Sequence, residues 1–330
     1  MGRDGRPENV FMDRFALEPK TQRVWGVPHA TWFTLMALGG GLFILGRSLG
    51  VEEEQGRFAG VPIIDVISFV AIAVGGLVLI SDLGRPLRFW RAFLNVRTSW
   101  IAWGAWSDLV FLTAAGVLVL PSLEIGSSRP FASFPWDATG DGAVGVTLEV
   151  VAGLAAVVVM FYAGAVLAKP RAIPFWHSVA VPLQFMLSGF AMAMATVVAL
   201  DVAYAEPIDD LDLALLAAFP AAVLAVVAWH LSTNRTEPGK SHSIEQLLRG
   251  DHRVAFLGGA VALGHGVPIV LALAGLAVPG WRDAMAVAAL ATLVLGGFVL
   301  RLVTLRVGIF PPVKRLPALV PRGTAPVTAG

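Results

Sequence analysis

Several side chains able to exchange protons stand in or beside long apolar runs, where an ionisable group is costly and each one needs a reason. His29 opens one run in the string Trp25-Gly-Val-Pro-His29-Ala-Thr-Trp32. A second run ends in Ser81-Asp82-Leu-Gly84-Arg85-Pro86-Leu-Arg88-Phe-Trp90-Arg91. Tyr162 falls about six residues, or ~9 Å, inside the end of the fourth run. Pro174-Phe-Trp176-His177 opens the fifth. An imidazole and a phenol hydrogen-bond a bound group and exchange protons with it, a guanidinium favours developing negative charge, and a carboxylate relays protons to water. Each residue also has a plainer role. Tryptophans at a membrane boundary form a belt, Asp82 and Arg85 at i,i+3 suit a helix-end ion pair, and Arg88, Arg91 and Arg97 suit lipid anchors. The gathering of His29, Tyr162 and His177 at one leaflet is what marks a site. Deeper lie Asp108 and His265, the latter between Gly264 and Gly266, with Gln184 and Ser188 at i,i+4 and Asp65 and Glu149 entering from the far side. Those groups are steps in a proton path or hydrogen bonds between helices.

The elements that position them follow from composition. Of 330 residues, 56% are hydrophobic and 14% charged, against roughly 25% charged in a soluble globule. Too few charges remain to cover a water-facing surface, so the chain is an all-α integral membrane protein, with neither disorder nor a nucleic-acid surface. A bilayer core of about 30 Å needs ~20 apolar residues as a helix, and eight runs meet that length: 27–49, 62–81, 101–120, 145–168, 174–200, 211–232, 253–278 and 283–308. They lack the period-2 alternation of barrel strands. Two groups of four helices are expected. The segments divide as 1–26, a membrane domain 27–308 and a tail 309–330. The first run is too long for a signal-peptide core, so no cleavage is expected. One side holds 20 of the 24 Lys and Arg residues, with Arg301 and Arg306 counted in the tail. Positive charge is retained inside, which puts both termini in the cytoplasm. There are no cysteines, which excludes disulfides and thiolate-held iron–sulfur or zinc centres in this sequence.

Two stretches carry a family resemblance. Asp82-Leu-Gly-Arg-Pro86-Leu-Arg-Phe-Trp90 is followed by Ser99-Trp-Ile-Ala-Trp103-Gly-Ala-Trp106, and Tyr162-Ala-Gly164 by Pro174-Phe-Trp-His177, Pro182 and Phe185-Met-Leu-Ser188-Gly189. Together they resemble the polysulfide reductase membrane subunit family (NrfD/PsrC). That resemblance implies a haem-free quinone or quinol site, menaquinone or ubiquinone, in a subunit of a bacterial cytoplasmic-membrane oxidoreductase. It implies a ferredoxin-like iron–sulfur partner, joined to a molybdenum, tungsten or hydrogenase catalytic subunit. It maps the head-group ligands onto His29 and Tyr162; the family commonly has Asn where this chain has His177. Asp82 would relay protons and Arg85 favour anionic intermediates, while Asp108 and His265 are the proton-path candidates. Because the charge count turns the partner-facing side inward, a formate dehydrogenase or hydrogenase module is the expected kind of partner.

Two rivals compete. A di-haem cytochrome b subunit needs paired axial histidines across the bundle, and only His265 is deep. A secondary transporter would use broken helices near the midplane, for which Gly39-Gly40-Gly41, Gly75-Gly76 and Gly258-Gly259 are the candidate breaks.

Overall fold

The computed structural model describes residues 20–51, 54–94, 96–97, 99–233, 235 and 237–311. Most of the 1–26 segment and of the 309–330 tail, and Glu52-Glu53, lie outside the described residues. Pro28 sits in the first turn of α1 (Val27–Leu49), where its missing N–H costs no hydrogen bond, and Gly50 at φ 71° ends it in the left-handed conformation glycine tolerates. Then come α2 (Ile63–Ser81), α3 (Trp100–Val119, continued by a 3-10 turn to Ser122), α4 (Gly142–Ala168) and α5 (Ala180–Tyr204). After α6 (Asp210–Ser232) and a short helix α7 (Pro238–Leu248), a π-helix at Val254–Gly266 runs into α8 (Val267–Ala277), and α9 (Arg282–Arg306) closes the order. Eight segments of the described residues, all these except α7, are long and apolar enough to cross a membrane.

Four expected boundaries shift. Pro174–His177 does not open a helix: helix starts at Ala180, because Pro174 and the turn at residues 171–176 precede it. The fourth span begins at Gly142 rather than 145. The seventh starts as a π-helix. The sixth and seventh are joined through α7 rather than through bare loop.

Strand β1 (Lys20–Thr21) pairs antiparallel with β4 (Ile309–Phe310), so both described ends meet at one end of the bundle. This basic end also carries a 3-10 segment at Pro86–Leu94 and α7. A hairpin of β2 (Arg57–Phe58) and β3 (Val61–Pro62) lies between α1 and α2 at the other end.

Close helix contacts come from small residues, which let backbones approach in lipid. Gly39-Gly40-Gly41 is such a junction and not a break. A Cβ on Gly39 would strike Ser68 O and Ile72 of α2, one on Gly40 would strike Met160 of α4, and one on Gly41 would strike Ala193 and Gly189 O of α5. Gly164 of α4 lies against Pro182 of α5, and Gly264 against Gly296 of α9. α1 packs on α5 and α9 as well as on α2 and α4, so the first four spans share a packed interface with the last four.

The basic end of α9 is sealed. Its last carbonyls, left without helical donors, accept from side chains of three other segments: Trp176 Nε1 to Thr304 O (2.7 Å), Gln22 Nε2 to Leu305 O (2.8 Å) and Ser243 Oγ to Val307 O (2.6 Å).

Candidate functional site

Among the first four spans, by contrast, the basic end is hollow. A cavity of about 500 Å³ is walled by α1, α2, α3, α4 and the 3-10 segment. Its wall is almost entirely apolar, with His29, Trp32, Asp108 and Tyr162 as the polar groups that face in. Four buried polar atoms on these residues have no hydrogen-bond partner: His29 Nδ1, Trp32 Nε1, Asp108 Oδ1 and Tyr162 Oη. Buried polar groups are almost always paired, and leaving one unpaired costs about 1–3 kcal/mol. Four such atoms gather around this one cavity.

Each side chain is held by its sequence context. His29 lies in the first turn of α1, with its ring 4.5 Å from that of Trp25. Its Nδ1 approaches Asp82 Oδ2 at 3.3 Å, an ion-pair distance without the alignment of a hydrogen bond. Asp82 therefore turns to His29 and not, as the i,i+3 spacing suggests, to Arg85. Trp32 follows His29 by three residues on the same face and stacks on Tyr162 at 5.8 Å. Tyr162 is only 1% exposed. Its ring occupies the space where a Cβ on Gly104 would stand, so glycine there lets the phenol approach α3 closely. Asp108, one turn deeper on that face of α3, completes the wall. The 3-10 segment roofs the cavity with Phe89 and Phe93, and Trp106 Nε1 donates to Phe93 O at 3.1 Å to tie the roof to α3.

Of the expected site residues, the structure puts His29, Tyr162 and Asp108 on the cavity wall, with Asp82 beside His29. Arg85 is exposed outside the cavity wall. His177 points away from the cavity, exposed, with Nδ1 2.6 Å from Ala168 O. Its neighbour Trp176 is the buried member of that motif. His265 belongs to another cluster, in the second half: it is 1% exposed, with Nδ1 2.7 Å from Ala260 O and Nε2 unpartnered.

Arg301 corrects the charge reading. Counted with the tail as an anchor, it is fully buried within the last span. Its Nη1 donates to Ser188 Oγ (3.1 Å) and Gly297 O (2.9 Å), its Nη2 donates to Phe185 O (2.7 Å), and its guanidinium lies 5.1 Å over the Phe185 ring. Sequence reasoning also missed Trp32 and Gly104 as site residues. The available signal was spacing: Trp32 is i+3 from His29, and Gly104 is i−4 from Asp108. Among the described residues no three His, Asp or Glu side chains are placed to hold a metal ion.

No curated protein matches the chain. A family model does: that of polysulphide reductase, NrfD, matches residues 17–312, which includes all eight spans and every wall of the cavity. The chain belongs to the polysulphide reductase NrfD family, membrane subunits of oxidoreductase complexes.

Proposed function

We propose that this chain is the quinone-reactive subunit of its complex, and that the cavity at the basic end of the first four spans receives the quinone or quinol ring. The observation that carries this reading is the set of four unpartnered polar atoms on one otherwise apolar wall. The fit is chemical. A quinone supplies two carbonyl oxygens on a flat apolar ring and takes up two electrons and two protons. Trp32 Nε1 and Tyr162 Oη are donors for one oxygen and His29 for the other, and the surrounding aliphatic side chains take the ring. These donors favour the charge that grows on the oxygens as electrons arrive, in a site from which water is largely excluded. Asp82, in ion-pair range of His29 and 35% exposed, passes protons between that imidazole and the aqueous face. Asp108 holds the deeper proton position. His265 and His177 have no part in this reading.

Electrons come from outside the chain, because a thiolate-bound cluster needs cysteines that this sequence lacks. The basic end, with Arg85, Arg88 and Arg91 exposed on and beside the roof, suits a ferredoxin-like iron–sulfur subunit with an acidic face. That subunit in turn serves a molybdenum, tungsten or hydrogenase catalytic subunit. By the retention of positive charge, this end is cytoplasmic and the membrane is the bacterial inner membrane.

The test is His29→Ala in the assembled complex. Quinone-linked turnover should fall by about tenfold or more, the loss of one hydrogen bond to a group gaining charge. Turnover of the catalytic partner with a soluble dye should stay at the wild-type rate. Equal quinone-linked rates in variant and wild type would remove the cavity from the reaction.

A further inference from the structure

A second hollow lies at the opposite end of α1 and α4, away from the basic end. There the last two turns of α1 and the second to fourth turns of α4 border a groove of about 290 Å³. Phe43 and Ile44 of α1 make one wall. Val150, Leu154 and Val157 of α4, at i, i+4 and i+7 on one helical face, make the other. Gly153 keeps the groove open, since a Cβ built there meets nothing within 4 Å. Val150 and Leu154 are 54% and 66% exposed, so the groove faces lipid.

Its dimensions restrict what fills it. Glu149 to Val157 spans about 12 Å at 1.5 Å per residue, and half of a bilayer core of about 30 Å is about 15 Å. The groove therefore belongs to one leaflet. Its volume over that length gives a cross-section of about 24 Å². A helix with its side chains, ~10–12 Å across, is too broad for it, whereas a single hydrocarbon chain is not.

Polar groups stand only at the mouth. Arg47 is pinned there: its Nη2 lies 2.6 Å from Asp65 Oδ2, its Nη1 donates to Ala138 O at 2.6 Å, and its guanidinium lies 5.5 Å over the Phe43 ring. Its charge is thus balanced within the chain. Glu149 is the other charged group of the mouth, and among the described residues it forms no ion pair. Its carboxylate folds over Gly140, where any Cβ would collide with Oε2. Ser48, exposed at the same mouth, offers a hydroxyl.

We propose that this groove binds a phospholipid with a primary ammonium headgroup, one acyl chain lying along Gly153, the ammonium on Glu149 and the phosphate at Ser48. Charge decides the headgroup. A carboxylate without a cationic partner attracts an ammonium that donates hydrogen bonds to it and repels a headgroup of net negative charge. It gains less from a quaternary ammonium, which has no N–H to donate. The site is separate from the ring cavity and does not depend on what that cavity holds. Because α1 carries His29 and α4 carries Tyr162, a lipid held between their far ends braces the two helices that form the cavity.

The test exchanges the assembled complex into equal amounts of phosphatidylethanolamine, phosphatidylcholine and phosphatidylglycerol with the same acyl chains, and identifies the retained lipid by native mass spectrometry. Wild type should retain one phosphatidylethanolamine, preferred about tenfold or more over phosphatidylglycerol, the worth of one charge-assisted hydrogen bond. Glu149→Gln should bring that preference to within about twofold while a lipid is still retained. Gly153→Leu puts its side chain into open space, needs no repacking of the core, and should cut the retained lipid about tenfold. Dye-linked turnover at the wild-type rate reports assembly of both variants. Equal retention of the three lipids by wild type, or an unchanged preference in Glu149→Gln, would overturn the headgroup assignment. Full retention by Gly153→Leu would overturn the groove as the site. Loss of an adjoining subunit from Gly153→Leu, with no lipid retained by wild type, would overturn the proposal in favour of a protein interface.

Discussion

Tyr162→Phe is expected to make the quinone-free protein more stable and the enzyme worse, two effects of opposite sign from one oxygen atom. The residue is 1% exposed and its hydroxyl has no hydrogen-bond partner. An unpaired buried hydroxyl costs about 1–3 kcal/mol, and phenylalanine removes that cost while keeping the ring that stacks on Trp32 and covers Gly104. Each kcal/mol moves a melting temperature by roughly 2–4 °C in a chain of a few hundred residues. Quinone-depleted Tyr162→Phe should therefore melt about 2–12 °C above wild type. Saturating quinone should stabilise wild type by mass action and the variant less, because the variant binds more weakly. Quinol-linked kcat/KM should fall by about tenfold, the worth of a hydrogen bond to an oxygen gaining charge. The assays are thermal melts of the purified complex with and without quinone, and quinol-linked against dye-linked turnover. A lower melting temperature in the empty state would mean that the hydroxyl has a structural partner. If quinol turnover stayed within twofold, the hydroxyl would not touch the substrate. Either result refutes the argument from the unpaired oxygen.

Two further outcomes follow from the same geometry. Gly104→Val puts a side chain where the Tyr162 ring lies, an overpacking of about 1–3 kcal/mol; quinol-linked turnover should drop by about tenfold or more while dye-linked turnover and assembly persist, and an unaffected quinol rate would show that the ring's position is not used. At the basic end, burial pushes the Lys240 ammonium of α7 below its ordinary value of 10.5, with the Glu237 charge opposing. The unfolded state then holds more protons than the folded one between the two values, so stability rises with pH over that alkaline interval. Lys240→Met should flatten that rise and raise the melting temperature at neutral pH, read from melts at a series of pH values; an unchanged pH slope would clear Lys240 of the effect.

Eight spans, their order and the gathering of positive charge at one end are properties of hydropathy and sequence position, and they are legible one residue at a time. The motifs carried the family resemblance for the same reason, being contiguous strings. What a string cannot express is the rotation of each helix and its distance from the others, and these decided the site. Local spacing paired Asp82 with Arg85, yet packing of α1 on α2 through Gly39 brought His29 to Asp82 instead. Asp108 and His265 look alike in sequence, single polar residues deep in apolar runs, but the fold sets one on the cavity wall and the other in the second half. Arg301 reads as one more basic residue near a terminus, and tertiary contacts bury it completely among carbonyls of α5 and α9. His177 is sequence-adjacent to the buried Trp176 and still faces outward, because the chain there is a turn and not the helix its apolar run suggests. The cavity has no sequence signature, since it is a gap between helices. Apolar periodicity says that a face is buried or meets lipid; only the packing of small residues elsewhere decides which faces are held apart.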